Sequence, residues 1–377
     1  MNRASVAMNL LWCVPGVGGS EEYLVRQLIG LAHISHDYDI QVFAPRGFSV
    51  RQPFVADNFT VHEAPSECLR RAERIALEHT WLAFRTRHFD IVHHGGGSIP
   101  RLGNRSTVLT IHDVQWIQYP EYVSPTKLRY LRHMVPSSLR RATRIVVPSR
   151  FVLRSLVTGF HIDPSRIGVV RHGLEAQFDA ESTSADTLRK KLSLGQGPIL
   201  VYPAITHPHK NHRFLLELMA SGTGKWADPS LRLVFAGSAG SVDQDVRDSV
   251  DALGLSQRVI MAGRVSTSDR NGLLAMAEAL VFPSQYEGFG APVIEAMRCG
   301  APVICSDQGS LPEIVGDAGL VCQLDIDAWT HVLEAVHQRR DELVEAGRDR
   351  ARAFTTEISA TELIAEYDLV LQKKHHR

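Results

Sequence analysis

Short apolar runs recur through the chain, each closed by a polar turn and most followed by a helical pattern. A first series occupies 6–14, 40–44, 91–93, 107–111, 145–147 and 168–170, and a second occupies 199–203, 231–236, 259–261, 279–282, 302–305 and 320–322. Strands that are apolar throughout and alternate with helices belong to parallel sheets covered on both faces. The duplication predicts an α/β protein with two Rossmann-like parallel-sheet domains facing across a cleft. Ligands of such sheets bind at the carboxyl ends of the strands. The boundary is expected in 175–196, which is polar, rich in Ser, Ala and Asp, and closed by Gly195-Gln196-Gly197-Pro198. The expected domains are 1–175 and 198–354, joined by a linker over 176–197. From 355 onward apolar positions fall at helical spacing, and the basic tail 373–377 is expected to fray.

The run from Ala4 to Val14, preceded by Arg3, imitates a short signal peptide. It is interrupted by Asn9, leads into a glycine loop and Glu21-Glu22, and lacks an A-x-A cleavage pattern, so a first buried strand is the better reading. No apolar run approaches the length of a membrane span. A length of 377 residues suits two domains of ordinary size, and 44% hydrophobic with 22% charged residues is an ordinary globular composition. Lys+Arg and Asp+Glu balance at 41 each, which removes any global field for nucleic acid. The five cysteines are scattered, without a C-x-x-C, and read as buried thiols of a reducing, cytoplasmic compartment.

Candidate chemistry centres on Val281 to Met297. Here a buried strand runs into Ser284-Gln285-Tyr286-Glu287-Gly288-Phe289-Gly290-Ala291, and Pro292 opens a helix. The glycines admit a ligand close to the backbone, and the helix start favours an anion. Glu287 and Glu295 flank that place and suit hydroxyl-rich groups, a sugar ring and a ribose. The combination points to a nucleotide sugar.

Glu287 and Glu295, eight apart around Gly-Phe-Gly-Ala-Pro, together with Phe282-Pro283-Ser284 and the later Gly300-Ala-Pro-Val-Ile-Cys-Ser-Asp-Gln-Gly-Ser-Leu-Pro-Glu313, resemble the E-x7-E signature of the retaining GT4 glycosyltransferases, which have the GT-B fold. The resemblance spans nearly the whole chain and is strongest from Pro198 to Val321. It implies that Lys210, within His207-Pro208-His209-Lys210-Asn211, clamps the donor diphosphate. It implies further that Gly288, Phe289, Gly290 and Ala291 approach the leaving group, and that the turn at Arg264 lies beside the base. A family arginine falls on Ala204 here, so one cationic clamp is missing or is supplied by His209 or Arg264. In the first domain Gly18 and Gly19 would approach the donor phosphates, and His112 would hydrogen-bond the donor sugar, with Asp113 orienting the loop or the histidine. The last helix would return to the first domain.

The histidine pair His93-His94 and the cluster His207, His209, His212 read poorly as metal ligands, because neither has the partners or spacing of a metal site. No metal and no cofactor beyond a nucleotide diphosphate sugar is expected. From 122 to 162 there is no Asp or Glu, while Lys127, Arg129, Arg132, Arg140, Arg141 and Arg144 stand among apolar residues. This is either a solvated face or, over 127–144, a peripheral contact with anionic membrane. The implied activity is transfer of a hexose to a hydroxyl acceptor, a glycan or lipid-linked glycan, with a lean towards mannose from GDP-mannose. A GT-B epimerase or phosphorylase, or a non-catalytic partner subunit, stays open.

Overall fold

The first apolar run leaves its strand early. The Asn9 side chain accepts from the Leu11 N–H at 3.1 Å and the Cys13 N–H turns back to the Leu10 carbonyl at 2.9 Å, so the ladder ends at Asn9. The computed structural model describes residues 3–15, 19–103, 106–176 and 178–375. Within them β1 (Ala4–Asn9), β2 (Tyr38–Ala44), β3 (Thr60–Glu63), β4 (Ile91–His94), β5 (Thr107–Thr110), β6 (Arg144–Val147) and β7 (Ile167–Val169) form one sheet, ordered β3-β2-β1-β4-β5-β6-β7. A second sheet holds β8 (Ile199–Tyr202), β9 (Arg232–Phe235), β10 (Val259–Met261), β11 (Ala279–Phe282), β12 (Val303–Ser306) and β13 (Leu320–Cys322), ordered β10-β9-β8-β11-β12-β13. Every pairing is parallel. Edge strand β3 has no apolar run to announce it: Thr60-Val61-His62-Glu63 is half-buried at best.

The chain divides into two units, Met1–Glu175 with Thr355–Arg377, and Ala176–Phe354. The last helix, Thr356–His375, lies against the helix Gly19–His33, where a Cβ on Gly30 would sit 2.0 Å from the Thr356 carbonyl oxygen. Close backbone approach of this kind needs glycine. Polar ties fix the same helix: the Tyr367 hydroxyl meets His93 Nδ1 at 2.7 Å, and the buried Arg144 guanidinium pairs with Glu366. Removing one partner of such a buried pair costs about 3–5 kcal/mol.

Arg144 therefore departs from the expected basic face. It opens β6 and is buried, because its partner Glu366 and the Ser165 carbonyl are inside the unit. Lys127, Arg129, Arg132, Arg140 and Arg141 stay exposed on one helix, Pro125–Arg141, which carries Pro136 without a break. The described residues of 176–197, expected as a linker, are held to the second unit. Asn271 Nδ2 donates to the carbonyls of Phe178 and Glu181 at 2.6 and 3.2 Å, and Lys191 on the short helix Ala185–Lys191 pairs with Asp269 at 2.5 Å.

Candidate active site

In the second sheet the strand order reverses between β8 and β11, so the loops leaving these neighbours rise side by side. Ligand crevices of doubly wound sheets form at such points. The two loops are stitched together. The Tyr202 hydroxyl donates to the Lys210 carbonyl at 2.6 Å and lies 3.1 Å from Ser284 Oγ, and the Gln285 N–H donates to the His209 carbonyl at 2.7 Å. At the end of β12 Ser306 Oγ donates to the Ser284 carbonyl at 2.5 Å, and from the loop beyond it Ser310 donates to the Glu287 carbonyl through N–H and hydroxyl, each at 3.1 Å.

This stitching brings Lys210 and Glu287 together, with Nζ 2.5 Å from Oε1. The side chains are 18% and 11% exposed, so the pair is partly dry and still open to a ligand. Charge-assisted bonds of this kind are roughly twice as strong as neutral ones. Gly290, at φ +91°, turns the chain into the helix Ala291–Cys299, and a Cβ there would meet Leu311 Cδ2 at 2.7 Å. Pro292 stands in its first turn, as the sequence indicates. Phe289 is buried, its ring edge-on to Phe354 at 5.8 Å. Glu295, one turn in, is only 2% exposed and lies 3.2 Å from Arg270 on the helix Thr267–Ala275, whose guanidinium also covers the Phe178 ring.

The remaining predicted cations behave differently. Burial, and then the charge of Lys210, holds the His209 imidazole down at about 3, so near pH 7 it offers a neutral ring rather than a second clamp charge. Arg264 stands exposed after β10, beside Gly263 at φ +66°. Ala204 is buried, and its backbone carbonyl packs against Gly237, where a Cβ would meet it at 1.8 Å. His212 packs between Tyr202 and Phe235, at 4.7 and 4.8 Å, while His207 stacks on His209 at 5.9 Å, so the three histidines point apart in function.

The first sheet reverses order between β1 and β4. Gly18 lies outside the described residues, and Gly19 opens the helix Gly19–His33. His93 is spent inside the core, on Tyr367 and on Thr110 Oγ1, both at 2.7 Å. His94 Nδ1 accepts from Asn9 Nδ2 at 3.3 Å. His112 follows β5. Its Nε2–H donates to the Gly95 carbonyl at 2.9 Å, and its ring lies 5.5 Å from Trp12 and 5.4 Å from Tyr23. That bond fixes the tautomer, so Nδ1 is an acceptor, and it is buried without a hydrogen-bond partner among the described residues. Burial keeps this imidazole below its usual range against the opposing pulls of Gly95 and Asp113. Asp113 itself accepts from the Gln115 N–H at 3.0 Å and so orders the loop.

Comparison with known proteins decides the family. The family described as glycosyl transferases group 1 matches residues 184–352, and glycosyltransferase family 4 matches residues 17–178. O-antigen chain mannosyltransferase B of Escherichia coli is 32% identical over 74% of this chain and 75% of its own length. The chain belongs to the family-4 glycosyltransferases. O-antigen chain mannosyltransferase RfbU of Salmonella typhimurium is 28% identical over 66% of this chain, which spans 64% of that relative. Among solved structures, a sucrose-phosphate synthase from Thermosynechococcus elongatus superposes with TM-score 0.76 at 20% identity, covering 98% of this chain and 100% of its own. Anabaena HepE, in complex with UDP and glucose, gives 0.75 at 18%, covering 97% and 99%. These likenesses establish the GT-B fold.

Several groups that shape this glycosyltransferase's site escape a sequence reading. Arg270 lies on a polar helix with nothing to link it to Glu295, and although Ser284 and Ser310 fall within the motif stretches, nothing in them marks the bonds they make to Tyr202 and to the Glu287 carbonyl. The strand order alone makes them neighbours, through the reversal at β8 and β11.

Proposed function

We propose that this glycosyltransferase moves a hexose, with retention of anomeric configuration, from a nucleoside diphosphate to a hydroxyl of a glycan or lipid-linked glycan. The names of its O-antigen mannosyltransferase relatives favour mannose, and the donor is then GDP-mannose. The observation that carries the reading is the Lys210–Glu287 pair, held at the reversal point by the stitched loops. Lys210 takes the diphosphate, whose negative charge grows as the glycosidic bond breaks. Glu287, released from part of its ion pair, faces the transferred sugar and its leaving group. The turn Gly288-Phe289-Gly290-Ala291 brings backbone and a helix start to the same charge. Glu295, oriented by Arg270, binds the ribose, and Arg264 lies at the base. His112 accepts a sugar hydroxyl through Nδ1, which explains a buried acceptor with no partner among the described residues.

In the proposed step the acceptor oxygen bonds to the anomeric carbon on the face the diphosphate leaves. The anomeric C–O bond breaks with its electrons going to the diphosphate, and the acceptor proton passes to a phosphate oxygen. Lys210 and the helix start do the work of a metal ion, so catalysis is positioning plus charge stabilisation. Among the described residues no helix is long and apolar enough to cross a membrane. The exposed cations of Pro125–Arg141 supply a peripheral contact on the inner face of the cytoplasmic membrane, where a lipid-linked acceptor is reached. Incubation with GDP-mannose and an acceptor glycan, followed by NMR of the product, tests the assignment. An α-mannoside formed equally well in EDTA is expected, and a β-linked product or loss of activity in EDTA overturns retention or metal independence.

A further inference from the structure

In the first unit the helix Pro125–Arg141 and Arg101 of the preceding loop line an open hollow of about 550 Å³, with Arg132, His133, Arg140 and Arg141 on its walls. Arg141 builds the wall, donating to the carbonyls of Ile99 and Pro100 at 2.6 Å each. Arg101 donates to His133 Nε2 at 2.9 Å. Arg132 and Arg140 are exposed, and neither has a carboxylate partner among the described residues. No carboxylate among the described residues lines the concavity. Four guanidinium groups in one hollow without a counter-charge repel one another, and planar forks of this kind match the oxygens of a phosphate.

Position separates this hollow from the transfer site. Arg140 and Arg141 come just before β6, at the amino ends of the strands, whereas His94 and His112 stand at the carboxyl ends. A four-residue strand, about 13 Å of chain, lies between. Beside the hollow are two large apolar side chains in water: Leu102 is 66% exposed and Phe84 is 62% exposed. A Cβ on Gly103 would lie 3.9 Å from Ala83 Cβ, so the loop that carries Leu102 runs against the segment that carries Phe84. Cationic forks flanked by exposed apolar side chains fit the boundary of a bilayer, where phosphate lies just outside hydrocarbon.

We propose that this hollow is a binding site for the phosphate headgroup of an anionic lipid, clamped by Arg101, Arg132 and Arg140, with Leu102 and Phe84 entering the interface. The inference rests on the peripheral-contact reading above and names its point of contact. Flotation with phosphatidate and phosphatidylcholine vesicles at about 0.1 M salt, where surface charges are screened beyond about 10 Å, tests it. The full-length protein is expected to float with phosphatidate vesicles. The pair Arg132→Ala with Arg140→Ala should lower that partition at least tenfold and leave nucleotide-sugar binding unchanged. Leu102→Ser should lower it too. The pair Lys127→Ala with Arg129→Ala, on the same helix outside the hollow, should change it less than threefold. Equal losses from both pairs overturn the hollow and leave a diffuse membrane face. Absence of the protein from phosphatidate vesicles overturns both readings. Displacement by millimolar inorganic pyrophosphate, with a rise in melting temperature as large as the vesicles give, overturns the lipid assignment in favour of a soluble phosphate.

Discussion

The two strand-end sites hold opposite kinds of polarity. At β8 and β11 full charges meet in pairs, Lys210 with Glu287 and Arg270 with Glu295. At β1, β4 and β5 the groups around His112 are mostly uncharged, Asn9 and His94 with Trp12 and Tyr23, although Glu78 lies 3.5 Å from Asn9 and the Arg51–Glu21 pair holds the Cys13 carbonyl. Burial enforces the difference, since it holds His93 and His94 down at about 3 and pushes His112 below its usual range. Paired charges that a ligand can divide suit a diphosphate and its growing negative charge. Neutral acceptors and aromatic faces suit hydroxyls and sugar rings, where a full charge would demand a counterion. The contrast accords with a motif resemblance that is strongest in the second unit, from Pro198 to Val321. A diphosphate poses one problem with few solutions, and hydroxyl recognition has many.

The largest effect should come from breaking the charged side of the contrast. Lys210→Ala removes the cation proposed to meet the leaving group, and turnover should then fall by about 10²–10³-fold, the range for loss of one preorganised charge stabiliser. Glu287→Gln keeps the shape and frees Lys210 from its ion pair, so turnover should fall while free nucleoside diphosphate binds as well or better. Steady-state kinetics beside calorimetric titration separates the two, and wild-type turnover in either variant would remove the pair from the mechanism.

Next in size is Glu295→Ala, which should weaken donor binding by about 1.5–3 kcal/mol for a charged hydrogen bond, with little change in turnover at saturation. Arg270→Ala tests the positioning role. It removes the charged partner of a buried carboxylate, so donor affinity and stability should fall together, and Arg270→Lys should restore part of both. Unaltered donor affinity in Arg270→Ala would show that Glu295 needs no orienting partner.

How much of this was legible depends on whether a residue's neighbour is local or brought by topology. The strands announce themselves because buried parallel strands are uninterrupted apolar runs, whereas β3, half-exposed at the edge, does not. The loop carrying Glu287 and the helix carrying Glu295 were readable because glycine and proline mark the turn and the helix start. Arg270 was not, because its partner is fixed by a packing between two helices. Arg144 was misread for the same reason: charge along a sequence says nothing of a carboxylate 222 residues away. His209 looked like a spare cation until burial beside Lys210 made it neutral.

The neutral side of the contrast has a pH signature. His93 titrates near 3 in the folded protein and about 6.5 when unfolded, so the unfolded chain binds the extra proton. Its contribution is complete above about pH 6.5 and is lost as pH falls towards 3, at about 1.4 kcal/mol per pH unit. His93→Gln should therefore flatten the acid limb of urea stability by about that slope. An unchanged limb would mean that the imidazole is not held neutral. A smaller effect is expected where the family arginine is missing: Arg264→Ala should weaken nucleoside diphosphate by about tenfold at most, the worth of one exposed or half-exposed charge, and His209→Gln should change it less. The reverse order would make His209 the replacement clamp.

The central claim is that the reversal point of the second unit binds a nucleoside diphosphate sugar through Lys210. Calorimetric titration of the wild type and Lys210→Ala with GDP-mannose, UDP-glucose, ADP-glucose and dTDP-glucose tests it most directly. The account predicts that GDP-mannose binds the wild type most tightly, that this binding is unaffected by EDTA, and that Lys210→Ala loses most of it. Equal affinity in Lys210→Ala, or no binding of any of the four donors to the wild type, would contradict it.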